Sequence, residues 1–149
     1  MGDKFHCQKG KSPDPQLRSQ STVKWKRMGY RRLKVYERSY KAGLAIYKFT
    51  KKYPDTEKYG LVSQMQRAGT SIPLNIAEGY AKRSSQEEFK RFLLMAIGSA
   101  NEMSVLLEFS KDLGYITKDE YEKASKEYEE IGRMLNRFIK TIAKAQSKN

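Results

Sequence analysis

Catalysis needs groups that titrate, attack or bind metal, and this sequence supplies few of them. The only histidine, His6, and the only cysteine, Cys7, are neighbours near the start of the chain. With no second ligand pair they do not make a zinc site, and a thiol or imidazole mechanism has nothing else to draw on. Glu78, Glu88 and Glu102 could form a carboxylate dyad or hold Mg²⁺, but pairing with Arg67, Lys82 or Arg91 is the simpler assignment. Neither a phosphate-cradling loop nor a GxGxxG turn is present, and the Glu-x-x-His pairs of a di-iron bundle are missing. The chain reads as a non-enzyme with no cofactor. What is polar and regularly spaced is Gln64, Arg67, Ser71, Asn75, Glu78 and Lys82, recurring at steps of three and four. This row lies beside an apolar one of Leu61, Met65, Ala68, Ile72, Ile76 and Gly79. A solvated boundary would explain it. So would a buried seam in which polar neighbours satisfy each other and set helix register. We adopt the structural seam, Gln64, Arg67, Ser71, Asn75 and Glu78, because Pro73 frees a backbone carbonyl nearby.

Both rows belong to one helix, and the rest of the chain must position it. Pro73 removes the bond to the Gly69 carbonyl, so a kink is expected there. Gly69, four residues earlier, relieves the clash and allows a close neighbour. The preceding helix runs from about Arg32 to Tyr53, with Leu33, Tyr36, Tyr40, Leu44 and Tyr47 as a stripe. That spacing predicts core tyrosines, with base-stacking platforms as the alternative. Pro54 ends this helix, and Asp55 or Thr56 caps the next. Ser84 with Glu87 forms a capping box opening a third helix that reaches Leu113. Phe89, Phe92, Leu93, Ala96, Ala100, Met103, Leu106 and Leu107 give it a wide apolar face. Leu94, Met95, Val105 and Phe109 lie off that face, which predicts an oligomer interface. Gly114 is a stop, and Thr117 with Glu120 is a second capping box. Tyr121, Ala124, Tyr128, Ile131, Leu135, Phe138 and Ile142 then repeat as a heptad seam. Short connections predict an all-α, up-down-up-down antiparallel four-helix bundle over 28–149, its second helix kinked at Pro73.

No uninterrupted apolar run is long enough to span a membrane, no apolar segment follows the basic N-terminus as in a secretory signal, and one cysteine suits a reducing cytoplasm. Residues 1–27 read as a disordered basic arm, broken by Ser12-Pro13-Asp14-Pro15. Trp25, between Lys24 and Lys26-Arg27, could stack on a base or lie on a membrane surface, but two fates are favoured: it belongs to that unstructured leader or docks on the bundle. The net charge is +13, and it is uneven: +7 over 1–32, +6 over 33–91 and zero over 92–149. Such asymmetry favours a polyanion, RNA or DNA. Lys34, Arg38, Lys41, Lys48, Lys51, Lys52, Arg67, Lys82, Arg83, Lys90 and Arg91 would contact phosphates. A protein-interaction module without nucleic acid is the competing reading.

The string Tyr59-Gly60-Leu61-x-x-Gln64-x-x-Arg67-Ala68-x-x-Ser71-Ile72-Pro73-x-Asn75-Ile76-Ala77-Glu78-Gly79 resembles the signature of the four helix bundle protein family. These are also called intervening-sequence proteins, because some are encoded within insertions in bacterial large-subunit ribosomal RNA genes. Leu33-Lys34-Val35-Tyr36, Arg91-Phe92-Leu93, Ala96-x-Gly98-Ser99 and Leu113-Gly114-Tyr115-Ile116 extend the likeness over about 30–143. Residues 1–27 have no counterpart. The resemblance implies a homopentamer of four-helix bundles around a central channel. It is similar, more weakly, to the accessory variability determinant of diversity-generating retroelements. That likeness implies a basic barrel that associates with a reverse transcriptase and binds nucleic acid.

Overall fold

A computed structural model describes residues 24–146, so most of the predicted arm, 1–23, lies outside the described residues. Four long helices make up the rest: α1 (Lys34–Phe49), α2 (Leu61–Ala81), α3 (Gln86–Asp112) and α4 (Lys118–Gln146). Short 3₁₀ turns at Tyr30–Arg32, Thr50–Lys52 and Asp55–Glu57 lead into or out of α1 and α2. α2 therefore starts later than Asp55 or Thr56 would have it. Its first N–H groups are met instead by Glu57, whose Oε2 accepts from the Leu61 N–H at 2.9 Å. The cap of α3 is Ser85 rather than Ser84, accepting from the Glu88 N–H. At α4 the capping box is reciprocal: Thr117 N–H donates to Glu120 and Glu120 N–H donates back to the Thr117 hydroxyl, at 3.0 and 3.1 Å. Between α3 and α4, Gly114 takes φ 79°. The Tyr115 N–H reaches the Ser110 carbonyl and the Gly114 N–H that of Lys111, a Schellman closure that needs a left-handed residue.

Each helix runs antiparallel to the one before it. Tyr80, late in α2, packs on Phe89 early in α3, and Phe89 meets Phe138 late in α4. At the other end the Ser110 hydroxyl approaches the Met65 sulfur. Met65, Ile72, Ile76, Phe89, Leu93, Met103, Leu107, Ile131 and Leu135 are wholly enclosed. The heptad seam of α4 faces this core, and so does the apolar row of α2. α2 is one continuous helix from Leu61 to Ala81 with Pro73 inside it.

α1 departs from the sequence reading. Its buried face is Val35, Ser39, Ala42, Gly43 and Ile46, while Tyr40, Leu44 and Tyr47 are about half exposed. The reason is the approach to α2: a Cβ added at Gly43 would lie 3.1 Å from the Gly69 carbonyl oxygen. Only small residues fit a crossing that close, so the tyrosines flank it. Gly69 is the residue whose carbonyl Pro73 deprives of a helical donor, and it sits at this crossing.

Residues 24–27, placed in the arm by the sequence, form a helical turn. Trp25 is buried, its ring 5.4 Å from Phe89 and 5.5 Å from Phe138. Of the two fates open to Trp25, docking is the one observed. Burying a large aromatic surface is ample reason for a short turn to order. α3 is the one described helix long and apolar enough to cross a membrane. In the bundle that composition serves burial between α2 and α4.

Candidate nucleic-acid interface

An even number of antiparallel helices brings the start of α1, the end of α2, the start of α3 and the end of α4 to one pole. Residues 24–38, 78–91 and 133–146 supply that pole, with fifteen Lys/Arg against four Asp/Glu, a net +11. Residues 48–67 and 105–123 make the opposite pole, with eight against seven. Charge that seemed spread through the first half of the sequence is gathered at one end of the molecule. The last turns of α4 contribute Arg133, Arg137, Lys140 and Lys144, which counting along the chain had dismissed as part of a neutral segment.

The eleven predicted phosphate contacts divide accordingly. Lys34, Arg38, Lys82, Arg83, Lys90 and Arg91 lie at the basic pole. Lys48, Lys51, Lys52 and Arg67 lie towards the other, and Lys41 is between. All but the half-buried Arg83 are exposed, but several are already engaged. Arg38 makes a two-pronged pair with Glu127 of α4 at 2.7 and 3.0 Å. Lys52 pairs with Glu120, Lys41 with Glu37 and Arg91 with Glu88. The Lys41 and Arg91 cations hold the Glu37 and Glu88 carboxyls below the ordinary carboxylate value. Lys82 and Arg91 both lie about 5 Å from the Phe92 ring. Lys24, Lys26, Arg27, Arg31, Arg32, Lys34, Lys82, Lys90 and Lys140 make no ion pair among the described residues. With Arg83, which bonds only to carbonyls, ten cations of the pole have no ion pair among the described residues.

Where the leader crosses the α2–α3 turn, a hollow of about 790 Å³ opens, lined by Lys26, Ala81, Arg83, Ser84, Ser85, Gln86 and Glu87. Arg83 is half-buried beside it, donating from Nε to the Lys26 carbonyl and from Nη1 to the Tyr80 carbonyl, both at 3.0 Å. Its remaining guanidinium protons stay available to an acceptor.

Of the polar row on α2, the structure brings together only Ser71 and Asn75. The buried Asn75 amide donates to the Ser71 carbonyl at 2.8 Å and hydroxyl at 3.0 Å, and the Ser71 hydroxyl meets Ser99 of α3 at 2.9 Å. Gln64, Arg67 and Glu78 are exposed. At 3.6 residues per turn, Asn75 lies angularly nearest the apolar row and Arg67 and Glu78 farthest, in step with their burial, whereas Gln64 lies nearer than Ser71 and is exposed all the same. Ser99 is the partner that spacing on one helix could not reveal. Leu94, Met95, Val105 and Phe109 all stand on the outer face of α3, each about half exposed. A second apolar surface, which the sequence did not single out, is the groove of about 340 Å³ between α1 and α2, walled by Tyr36, Tyr40, Leu44, Tyr47, Pro73 and Leu74. No group of three His, Cys, Asp or Glu among the described residues could hold a metal ion. His6 and Cys7 lie outside the described residues.

The model of the 23S rRNA-intervening sequence protein family matches residues 31–137. The chain belongs to this family. A crystal structure from Bacteroides thetaiotaomicron VPI-5482, described as a protein of unknown function from the S23 ribosomal protein family, is 31% identical. It superposes with a TM-score of 0.63 over 71% of this chain and 98% of that one. No curated protein matches the sequence significantly. The matched region starts at Arg31, so the docked turn with Trp25 lies outside it, as do Lys140 and Lys144.

Proposed function

We propose that this member of the family is a non-enzymatic, self-associating scaffold that binds the phosphate backbone of RNA or DNA through its basic pole. The supporting observation is the concentration of +11 on one end of the bundle. Ten cations there have no ion pair to give up among the described residues. Coulombic attraction and counterion release make such a surface attractive to any polynucleotide, with little dependence on sequence. The apolar row of α3 and the tyrosine-lined groove of α1 and α2 support self-association. They are different surfaces on different sides of the bundle, so a contact between them is head-to-tail, the kind that closes into a ring when the rotation allows. A homopentamer is one such ring.

The test is equilibrium binding to a structured RNA and to a duplex DNA at two salt concentrations. Binding at low salt that weakens steeply with added salt is expected. Absence of binding at low salt overturns the reading. Affinity capture with and without nuclease separates it from a protein-interaction module. If a protein partner survives nuclease and no nucleic acid co-purifies, the module is the better account, and a reverse transcriptase is the first partner to seek.

A further inference from the structure

The turn at 24–27 and the residues up to Gly29 form a strap across the basic pole, tied to three helices. Trp25 packs against both Phe89 of α3 and Phe138 of α4, which also touch each other. The Tyr80 hydroxyl of α2 donates to the Lys26 carbonyl and accepts from the Gly29 N–H, both at 3.0 Å. Arg83 adds a third tie to the same Lys26 carbonyl. Three backbone ties, one buried indole and the half-buried Met28 packed against the core hold this short segment in place. The strap delivers Lys24, Lys26 and Arg27, three of the ten cations at the pole without an ion pair among the described residues. It also sets one wall of the hollow beside Arg83.

We infer that the strap is a built part of the polyanion-binding surface, and that Trp25 is its positioning residue. This rests on the proposed binding by the basic pole. Trp25 itself touches no phosphate. By anchoring the strap it presents Lys24, Lys26 and Arg27 in place, so their ordering is not charged against each binding event. It also keeps the Lys26 carbonyl where it orients the Arg83 guanidinium. An undocked strap would carry the same charges on a free chain, where they still meet phosphates but must be ordered each time.

This separates geometry from charge, and the experiment uses the separation. The full chain and four variants are titrated with a short fluorescein-labelled duplex DNA across a salt series. Folding is monitored by circular dichroism and strap docking by trypsin cleavage after Lys24, Lys26 and Arg27. Trp25→Ala is expected to open the strap to trypsin and weaken binding about tenfold, the low end of what immobilising three long side chains costs, with the salt slope unchanged. Trp25→Phe keeps an aromatic ring against Phe89 and Phe138 and is expected to bind within about twofold of the parent. The Lys24→Gln, Lys26→Gln, Arg27→Gln triple variant lacks these trypsin sites, so its docking is read from the emission of Trp25, the one tryptophan of the chain; it is expected to remain docked, bind less tightly and lose about 0.9 of slope per contact removed. Tyr80→Phe, which cuts two ties and leaves the ring, serves if Trp25→Ala does not fold, and is expected to weaken binding at unchanged slope. If the parent binds duplex while the undocked variants bind equally well, the strap has no such role and only this inference falls. If the parent does not bind at low salt, the inference falls together with the reading beneath it.

Discussion

The assignment of binding to one pole makes a spatial prediction about salt dependence. Lys82 and Lys90 stand at the basic pole, and Lys48 and Lys51 at the opposite one. All four are exposed and none has an ion pair among the described residues. Replacing either pair by glutamine changes the net charge by the same amount, so any bulk effect of charge is matched. On duplex DNA each phosphate neutralised contributes about −0.9 to the slope of log K against log salt. The ten unpaired cations therefore cap the slope at about −9, and a pole that reaches six phosphates gives about −5. Removing Lys82 and Lys90 is expected to flatten the slope by about 1.8, whereas removing Lys48 and Lys51 leaves it within error. Fluorescence anisotropy between roughly 50 and 200 mM salt covers the range over which such a surface loses three or more decades of affinity. Equal flattening by the two pairs would mean that the polyanion lies along the side of the bundle, and the polar assignment would be wrong.

Other expectations concern packing and assembly. A Cβ at Gly79 would sit 2.7 Å from Phe92 Cβ and 3.0 Å from the Phe89 ring. Overpacking of about 1–3 kcal/mol outweighs the roughly 1 kcal/mol that alanine gains in helix propensity. Gly79→Ala should lower Tm by several degrees, while Gly132→Ala, which meets nothing, should raise it slightly; a rise at Gly79 would refute the close approach of α2 and α3. The Tyr128 hydroxyl is buried without a hydrogen-bond partner, so Tyr128→Phe should stabilise the fold by about 1 kcal/mol in denaturant titration. Burial, with the Glu127 charge, also pushes the Tyr128 phenol above its ordinary value of 10.0. Its folded form thus holds its proton longer than the unfolded chain. The corresponding stability is present below pH 10 and lost above it, a loss that Tyr128→Phe removes; an unchanged alkaline limb would count against the phenol. Finally, Leu94→Glu with Phe109→Glu should reduce the mass seen by light scattering at micromolar concentration. A parent chain that is already a monomer would dispose of the α3 interface.

Four helices, their order and most of the core were legible in the sequence, because α2, α3 and α4 each carry one dominant apolar row. α1 was not, since it carries two. The tyrosine row has the larger side chains, but the row of Val35, Ser39, Ala42, Gly43 and Ile46 has the size that a close crossing demands. Single-helix periodicity cannot weigh those against each other without the partner helix. The capping boxes illustrate the same limit. Thr117–Glu120 stood alone, whereas beside the Ser84–Glu87 box taken from the sequence lies Ser85 with Glu88 one residue on, and that is the cap observed. The proposed site was half legible: net charge suggested a polyanion, but its location depends on Arg137 and Lys140 folding back beside Lys34, a relation between residues a hundred positions apart. Trp25, in a segment of breakers and lysines, gave no pattern to follow.

The antiparallel count of four has a practical corollary for anyone handling this protein. The described chain enters at Lys24 and leaves near Gln146 on the same pole, the one that carries the charge. An affinity tag or fluorescent fusion joined directly at Lys24 or Gln146 would start from that surface, and a polyhistidine tag there would add further titratable groups to it. The segments joining α1 to α2 and α3 to α4 both turn at the far pole, and exposed turns of this kind tolerate insertion best. A label placed after Gly114, or a permuted chain opened there, would leave the basic surface uncovered.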